Sequence, residues 1–234
     1  MRTLLRRMPL MLTVVLAIVV GGLWSGWRQT VSPPSASQST GGAMAALLQL
    51  PVKGRAPKTG YARTLFGNGW AMVGSCDMRE HILVRDLQPV ITKSVTNCTV
   101  KSGTLQDPYT AQTIQFVRGP STSSAVQIDH VVALGDAWQK GAQQLSTAER
   151  EQLYNDPLEL IAVDGPANQQ KSDADAASWL PANKAYRCRY VARQIAVKQK
   201  YRLWVTAAER DAMSRVLDGC PGQELPAEMP HNTP

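Results

Sequence analysis

The pattern of apolar and polar residues predicts two strands followed by a helix in the middle of the chain. A strand-like apolar run at residues 126–132 carries the polar pair Asp129 and His130. A second apolar run occupies residues 158–165, and the polar, alanine-rich stretch that begins at Asn168 can form a helix. The predicted order is therefore strand, long excursion, strand, turn and helix.

Capping boxes and an apolar stripe predict further helices. A serine or threonine with a glutamate three residues later satisfies free N–H groups at a helix N-terminus, and the chain has this pattern at residues 146–149 and 206–209. In residues 186–200, apolar side chains recur at spacings of three and four, which predicts a helix with one buried face. A short link joins this helix to a second one of similar length, so we expect an antiparallel hairpin near the C-terminus.

Strand patterns also precede the central motif. Residues 98–100 and 113–116 are predicted strands, and residues 82–86 and 90–91 are short helical or extended pieces. The chain has 234 residues and 44% hydrophobic content, which is enough for one domain with a substantial core. We expect an α+β fold with extra N-terminal strands, a C-terminal helical hairpin and one folded domain over residues 59–222.

The two ends of the chain differ in composition from this domain. Residues 1–28 combine arginines with a long apolar run, and a cleaved signal peptide and an uncleaved membrane anchor both fit. Residues 29–58 are rich in Ser, Pro, Thr and Gly and are predicted to be a flexible linker, although the apolar patch at 44–50 can dock as a helical turn. Residues 223–234 are a predicted disordered tail. We therefore expect a protein that is secreted, or anchored at the outer face of the membrane by residues 1–28.

The four cysteines agree with export, because disulfides persist in oxidising compartments. Cys188 lies at the start of the first helix of the hairpin and Cys220 follows the second, so the hairpin brings them to the same end. This arrangement predicts a Cys188–Cys220 disulfide, and elimination leaves Cys76 to pair with Cys98. The spacings are too wide to indicate a zinc site.

A local cluster of charge is more informative than the global charge. The net charge is +7, but four arginines flank the N-terminal apolar run, which leaves 21 basic against 18 acidic residues. Phosphate contacts supply most non-specific nucleic-acid affinity, so a run of seven basic residues without an acid predicts an anionic partner. A solubilising surface is the alternative. The run consists of Lys184, Arg187, Arg189, Arg193, Lys198, Lys200 and Arg202.

Polar residues at the edges of the central motif have the chemistry of a metal-assisted hydrolase. Asp129 supplies a carboxylate oxygen and Asn168 an amide oxygen, ligands that Mg²⁺ accepts while it keeps several waters. A neutral His130 near a metal-bound phosphate is able to take a proton from attacking water. Lys171, one helical turn beyond Asn168, is either a phosphate-binding residue or an ordinary surface lysine.

Residues 126–138 and 155–179 resemble the HNH, or His-Me finger, endonuclease motif in the branch that begins with Asp-His. They resemble more closely the GmrSD-type HNH domains of secreted bacterial proteins. The resemblance implies a ββα-metal (HNH) core in which Asp129 and Asn168 hold the metal and His130 is the general base.

The chain departs from this family at the residue that normally braces the loop carrying the base. The family usually has an asparagine nine residues before its last metal ligand, where this chain has Glu159. Asn155 is the nearest substitute. If Glu159 lies beside the His130 loop, its carboxylate should raise the pKa of His130. If Asn155 braces the loop instead, we expect Glu159 to face solvent.

These features together predict a metal-dependent endonuclease that hydrolyses phosphodiester bonds with low sequence specificity. The expected cofactor is a divalent ion, Mg²⁺ first and Mn²⁺ as the alternative. The expected partner is nucleic acid, DNA ahead of RNA, with no protein partner and with membrane contact only through residues 1–28 if they are uncleaved. Two other classes of protein remain open, an inactive nucleic-acid-binding module and a non-enzymatic surface interaction domain.

Overall fold

The computed structural model describes residues 42–94 and 97–226. Helices and strands are mixed along the chain, which confirms the expected α+β class. The first half contains α1 (Gly42–Gln49), β1 (Met72–Val73), β2 (Cys76–Asp77), α2 (Met78–Asp86), β3 (Leu87–Ser94), β4 (Asn97–Gln106) and β5 (Thr113–Val117). The second half contains β6 (Val126–His130), α3 (Leu134–Gln139), α4 (Thr147–Tyr154), β7 (Leu160–Asp164), α5 (Gly165–Lys171), α6 (Arg187–Lys200) and α7 (Ala207–Asp218).

The strand, strand and helix order of the central motif is confirmed. Strands β6 and β7 pair antiparallel, with Asp129 opposite Ile161 and His130 opposite Leu160, and α5 follows β7 directly. The side chain of Asp164 caps α5 by accepting a hydrogen bond from Ala167 N–H. The helix therefore begins at the strand end, and this connection brings α5 back to β6.

Two hydrophobic cores explain why β7 is apolar at nearly every position. Successive side chains of a strand point to opposite faces. Leu160 and Ala162 pack with α2 and the β3–β4–β5 sheet on one side, whereas Ile161 and Val163 pack with the core that contains α6 on the other. The central hairpin is thus covered on both faces and is rigid enough to position side chains at its end.

The C-terminal hairpin and both disulfides agree with the sequence-based predictions. The capping boxes at Ser146 and Thr206 are present, and α6 contacts α7. Cys188 is bonded to Cys220, and Cys76 is bonded to Cys98. The first disulfide closes the helical hairpin, and the second joins β2 to β4.

The expectation of a flexible linker over residues 29–58 is wrong for its second half. Helix α1 buries Leu47 completely, as the apolar patch suggested. Beyond α1, Lys53 N–H donates to the Val205 carbonyl and Ala56 N–H donates to the Gln139 carbonyl. Composition did not reveal this packing, because it depends on backbone hydrogen bonds to distant parts of the chain.

Both chain ends extend beyond the described residues. The expected export segment and residues 29–41 of the expected linker lie outside them, as do residues 227–234 of the expected tail. Within the tail, the Gln223 carbonyl accepts a hydrogen bond from Ala43 N–H, so the chain is tied to α1 at that point. Over residues 42–94 and 97–226, no helix combines the length and the apolar character needed to cross a membrane.

Candidate active site

A cavity of about 630 Å³ brings together the residues that the sequence selected for chemistry. Asp129, His130 and Asn168 all line it, although adjacent strand residues normally point to opposite faces. Asp129 and His130 are the last two residues of β6, and all five residues of that strand line the cavity. Arg63 and Arg79 also line the cavity, from the 3₁₀ turn Arg63–Phe66 and from α2.

The ring of His130 is held by two aromatic side chains and one backbone carbonyl. It stacks on Trp70 at 6.0 Å between ring centroids and contacts Tyr154 at 4.8 Å. His130 Nε2 lies 3.0 Å from the Tyr154 carbonyl oxygen. A carbonyl can only accept, so Nε2 carries the hydrogen and Nδ1 is the basic nitrogen of the neutral ring.

Burial keeps His130 uncharged. Loss of hydration and, after it, the charge of Arg63 lower the pKa of His130 to about 3, against the raising effect of the Tyr154 hydrogen bond. Glu159 is not among the groups that shift this pKa, so the pKa effect expected from a Glu159 carboxylate beside the loop is not found. The imidazole is therefore neutral over the physiological pH range, which is the protonation state that a general base needs.

Each carboxylate oxygen of Asp129 is bound by a side chain whose contact with Asp129 the sequence did not predict. Tyr109 donates its hydroxyl to Oδ2 at 2.5 Å, and the ammonium of Lys171 lies 3.0 Å from Oδ1. Lys171 is fully buried and also donates to the His130 carbonyl at 2.8 Å. Lys171 thus fixes both members of the Asp-His pair, and it is not a surface residue. No sequence pattern marked Tyr109, which lies between β4 and β5.

Helix α5 places Asn168 and Lys171 on the same side, because residues three apart are neighbours on a helix. The amide nitrogen of Asn168 donates to Gln127 Oε1 at 2.9 Å. This bond uses the donor half of the amide and orients the side chain. The oxygen is the half that a metal ion would use.

Glu159 and Asn155 brace two different segments around His130. Glu159 is fully buried, and its backbone carbonyl and side-chain Oε2 accept from the N–H groups of Val131 and Val132. Asn155 Oδ1 accepts from Ala71 N–H at 2.8 Å, next to Trp70. Glu159 therefore holds the loop after His130, and Asn155 holds the segment whose indole stacks on His130.

Burial favours the uncharged form of Glu159, and in that form its carboxyl group resembles the amide of an asparagine. Burial raises its pKa well above the usual value. A protonated carboxyl has one donor and one acceptor side, as an amide has. Oε2 has the Val132 contact, and Oε1 has no hydrogen-bond partner among the described residues.

The cations of α6 do not form the exposed basic face that the sequence suggested. Lys198 is fully buried and pairs with Glu209 at 3.0 Å. Arg193 donates to the carbonyls of residues 157, 158 and 160, and Arg187 donates to the Pro181 carbonyl. Arg189 is exposed and stacks over the Tyr186 ring. The carbonyls that bind Arg193 lie 33 to 36 positions away, so the local sequence did not reveal them.

Helix α6 instead supports the loop that follows His130. Gln194 Nε2 donates to the Val131 carbonyl at 2.7 Å, and the Tyr190 hydroxyl is within 3.5 Å of the same oxygen. Val131 is therefore fixed at its N–H by Glu159 and at its carbonyl by α6. A rigid support of this kind limits the positions that the His130 side chain can adopt.

The donor set fits a hard divalent cation that keeps most of its water ligands. An ionised carboxylate offers about four lone-pair sites, and Tyr109 and Lys171 use two of those on Asp129. The Asn168 oxygen adds a second donor to the same cavity. In the part of the chain that the structure describes, no three His, Cys, Asp or Glu residues form a metal cluster. The residues therefore suit Mg²⁺, which takes further ligands from water and phosphate, and they do not suit an ion that needs a full protein cage.

Comparison with known proteins places this site in a family. The family model described as "GmrSD restriction endonucleases, C-terminal domain" matches residues 78–216, a range that contains Asp129, His130, Asn168 and Lys171. An uncharacterized secreted protein of Arthroderma benhamiae is 36% identical over 189 residues, which cover 80% of this chain and 87% of that protein. No solved structure matches the chain. The extent of both matches shows that the chain belongs to the family of GmrSD restriction endonuclease C-terminal domains.

Proposed function

We propose that this protein is an exported, metal-dependent endonuclease of the HNH type that cleaves nucleic acid, DNA ahead of RNA, with low sequence specificity. The observation that carries the proposal is the position of a neutral His130 in the same cavity as Asp129 and Asn168. Membership of a restriction endonuclease family supports the reaction class. The unit made of β6, β7 and α5 supports the HNH type, because it has the strand, strand and helix order of that core.

His130 is the proposed general base. With Nε2 donating to the Tyr154 carbonyl, Nδ1 is the nitrogen that would take a proton from the attacking water. A pKa of about 3 makes the free imidazole a weak base. A phosphate bound beside Arg63 would offset the charge that, after burial, is the second cause of this low pKa. The base would therefore become stronger when the substrate is bound.

Asp129 and Asn168 are the proposed ligands of a divalent ion, Mg²⁺ or Mn²⁺. The bound ion would supply positive charge next to the phosphate oxygens. Tyr109 and Lys171 act on Asp129 as positioning residues, since each holds one carboxylate oxygen. The ammonium of Lys171 shares the charge of Asp129, so we expect weak metal binding until a phosphate adds its own negative charge.

Export is supported by three independent features. The chain begins with an apolar, arginine-flanked segment, two disulfides staple the fold, and a relative is described as secreted. Disulfides persist mainly outside the cytosol. We therefore place the activity outside the cell, either free or at the outer face of the membrane.

Incubation of the purified protein with plasmid DNA and with a folded RNA tests the reaction class. We expect nicking and then linearisation of the plasmid in the presence of Mg²⁺ or Mn²⁺, and no cleavage when EDTA is present. Binding without cleavage under every metal condition would identify an inactive nucleic-acid-binding module. Neither binding nor cleavage would favour a surface interaction domain.

A further inference from the structure

The accessible cations near the cavity lie in the first half of the domain. Residues 61–125 contain six basic and four acidic residues. All four acids are engaged internally: Asp77 caps α2, Glu80 is buried between two arginines, Asp86 pairs with Arg85, and Asp107 is buried and accepts from Thr110 and Asp164 N–H groups. The charge that this region presents to solvent is therefore positive.

A chain of direct contacts leads from the cavity to the three-stranded sheet. Arg79 lines the cavity and lies 3.3 Å from Glu80 Oε1, and Arg118 lies 2.5 Å from the same oxygen. The backbone N–H of Arg118 donates to the Lys101 carbonyl at 2.8 Å. Arg118 follows β5 directly, so these contacts carry positive charge from the cavity onto β4.

The sheet extends this line of charge to its edge. Ile91 of β3 is opposite Ser102 of β4 and Thr92 is opposite Val100, so Lys101 lies between these two pairs and Lys93 lies on the far side of the Thr92–Val100 pair. Both lysines are exposed. Neighbouring strands are about 4.8 Å apart, so crossing from β5 to β3 covers about 10 Å.

We propose that Arg79, Arg118, Lys101 and Lys93 form a phosphate track that binds the backbone of one nucleic-acid strand and leads it into the cavity. This inference rests on the proposed function, and it specifies how that function's substrate would approach. Contacts to phosphate carry no sequence information, so the track agrees with low sequence specificity. The track begins at the cavity with Arg79, which distinguishes it from a surface that binds anions in general.

Equilibrium binding separates this track from the basic run of α6. Binding of a fluorescent 20-nucleotide DNA is measured by anisotropy in EDTA over a range of salt concentrations. The variant Lys93→Gln/Lys101→Gln is compared with Lys184→Gln/Arg189→Gln, which also removes two exposed positive charges. For a single strand, each lost phosphate contact lowers the salt slope by about 0.7. We expect the track variant to lose about 1.4 in slope and about 25-fold in affinity at 0.1 M salt, whereas the α6 variant keeps wild-type values.

Several outcomes would overturn the track. It fails if the two variants lose affinity equally, if the track variant keeps the wild-type slope, or if the wild-type protein does not bind DNA at low salt. Vesicles that contain anionic lipid are the competing ligand, and a track that binds them as tightly as DNA is not a nucleic-acid site. The two proposals can fail separately. A wild-type protein that binds DNA along the track but never cleaves it would support the track and contradict the nuclease function.

Discussion

Helix α6 has many basic residues but few that a ligand can reach, whereas the mouth of the cavity has few basic residues but includes an accessible one. The helix lies in the densest basic run of the chain, yet Lys198 is buried and Arg193 is bonded to three backbone carbonyls. The cavity mouth has few cations, but Arg63 is exposed and lines the site. Density of charge along a sequence therefore does not locate the charge that a ligand can reach.

The inward-facing lysines of the helical region serve stability. Lys140 and Lys198 are fully buried among Asp136, Asp175 and Glu209. Burial alone would lower the pKa of Lys198, but the charges of Glu209 and Asp136 more than offset that effect and raise it. Lys198 thus stays charged within a network that ties α3, α6 and α7 together.

The largest expected effect follows from breaking this network. Lys198→Met leaves buried carboxylates with one cation fewer, and removal of one partner from a buried ion pair costs about 3–5 kcal/mol. Urea unfolding should show a loss of that size. Arg189→Met, on the same helix but exposed, should stay within about 0.5 kcal/mol of wild type. Equal stability of the two variants would mean that the buried network contributes nothing.

Removal of Arg63 tests the opposite side of the comparison. Arg63→Gln should raise KM by about tenfold, because a charge-assisted hydrogen bond contributes about 1.5 kcal/mol. The same change at Arg189 should leave KM unchanged. Steady-state cleavage of a labelled duplex gives both values, and the reverse result would return substrate binding to α6.

A smaller effect is expected where the two regions meet, at the loop held by Glu159 and by Gln194 of α6. The raised pKa of Glu159 means that the folded protein keeps this proton at pH values where the unfolded chain has released it. The contribution to stability is therefore complete below about pH 4.5 and is lost as the pH rises through the folded-state pKa.

Glu159→Gln should remove this pH dependence, because the amide cannot ionise. Its melting temperature should fall less than that of wild type between pH 5 and pH 9. Glu151→Gln, at an exposed position, is the control and should follow the wild-type curve. If Glu159→Gln also follows that curve, Glu159 is not held neutral in the folded protein.

Local patterns predicted most of the fold. Apolar runs predicted β6 and β7, the Ser146 and Thr206 capping boxes predicted α4 and α7, and the position of Cys188 near the start of α6 predicted the disulfide pairing. Asp129, His130 and Asn168, the predicted base and metal ligands, line one cavity. The predicted helices and strands each depended on residues that are close in sequence.

Contacts between distant segments were not predictable from the same patterns. Tyr109 reaches Asp129 across 20 positions, and Lys171 reaches it across 42. The composition of residues 29–58 predicts a linker, although Lys53 and Ala56 within it donate backbone hydrogen bonds to Val205 and Gln139. One sequence without its tertiary contacts does not show which polar groups are paired in the interior.

The cleavage rate of His130→Gln tests the central claim most directly. Glutamine is close in size to histidine and can still donate to the Tyr154 carbonyl, but it cannot accept a proton at neutral pH. The account predicts that the single-turnover rate on plasmid DNA falls by about 10²–10⁴-fold, while melting temperature and DNA affinity stay near wild type. A variant that cleaves at the wild-type rate would show that the proton is taken elsewhere and would contradict the assignment of His130 as the base.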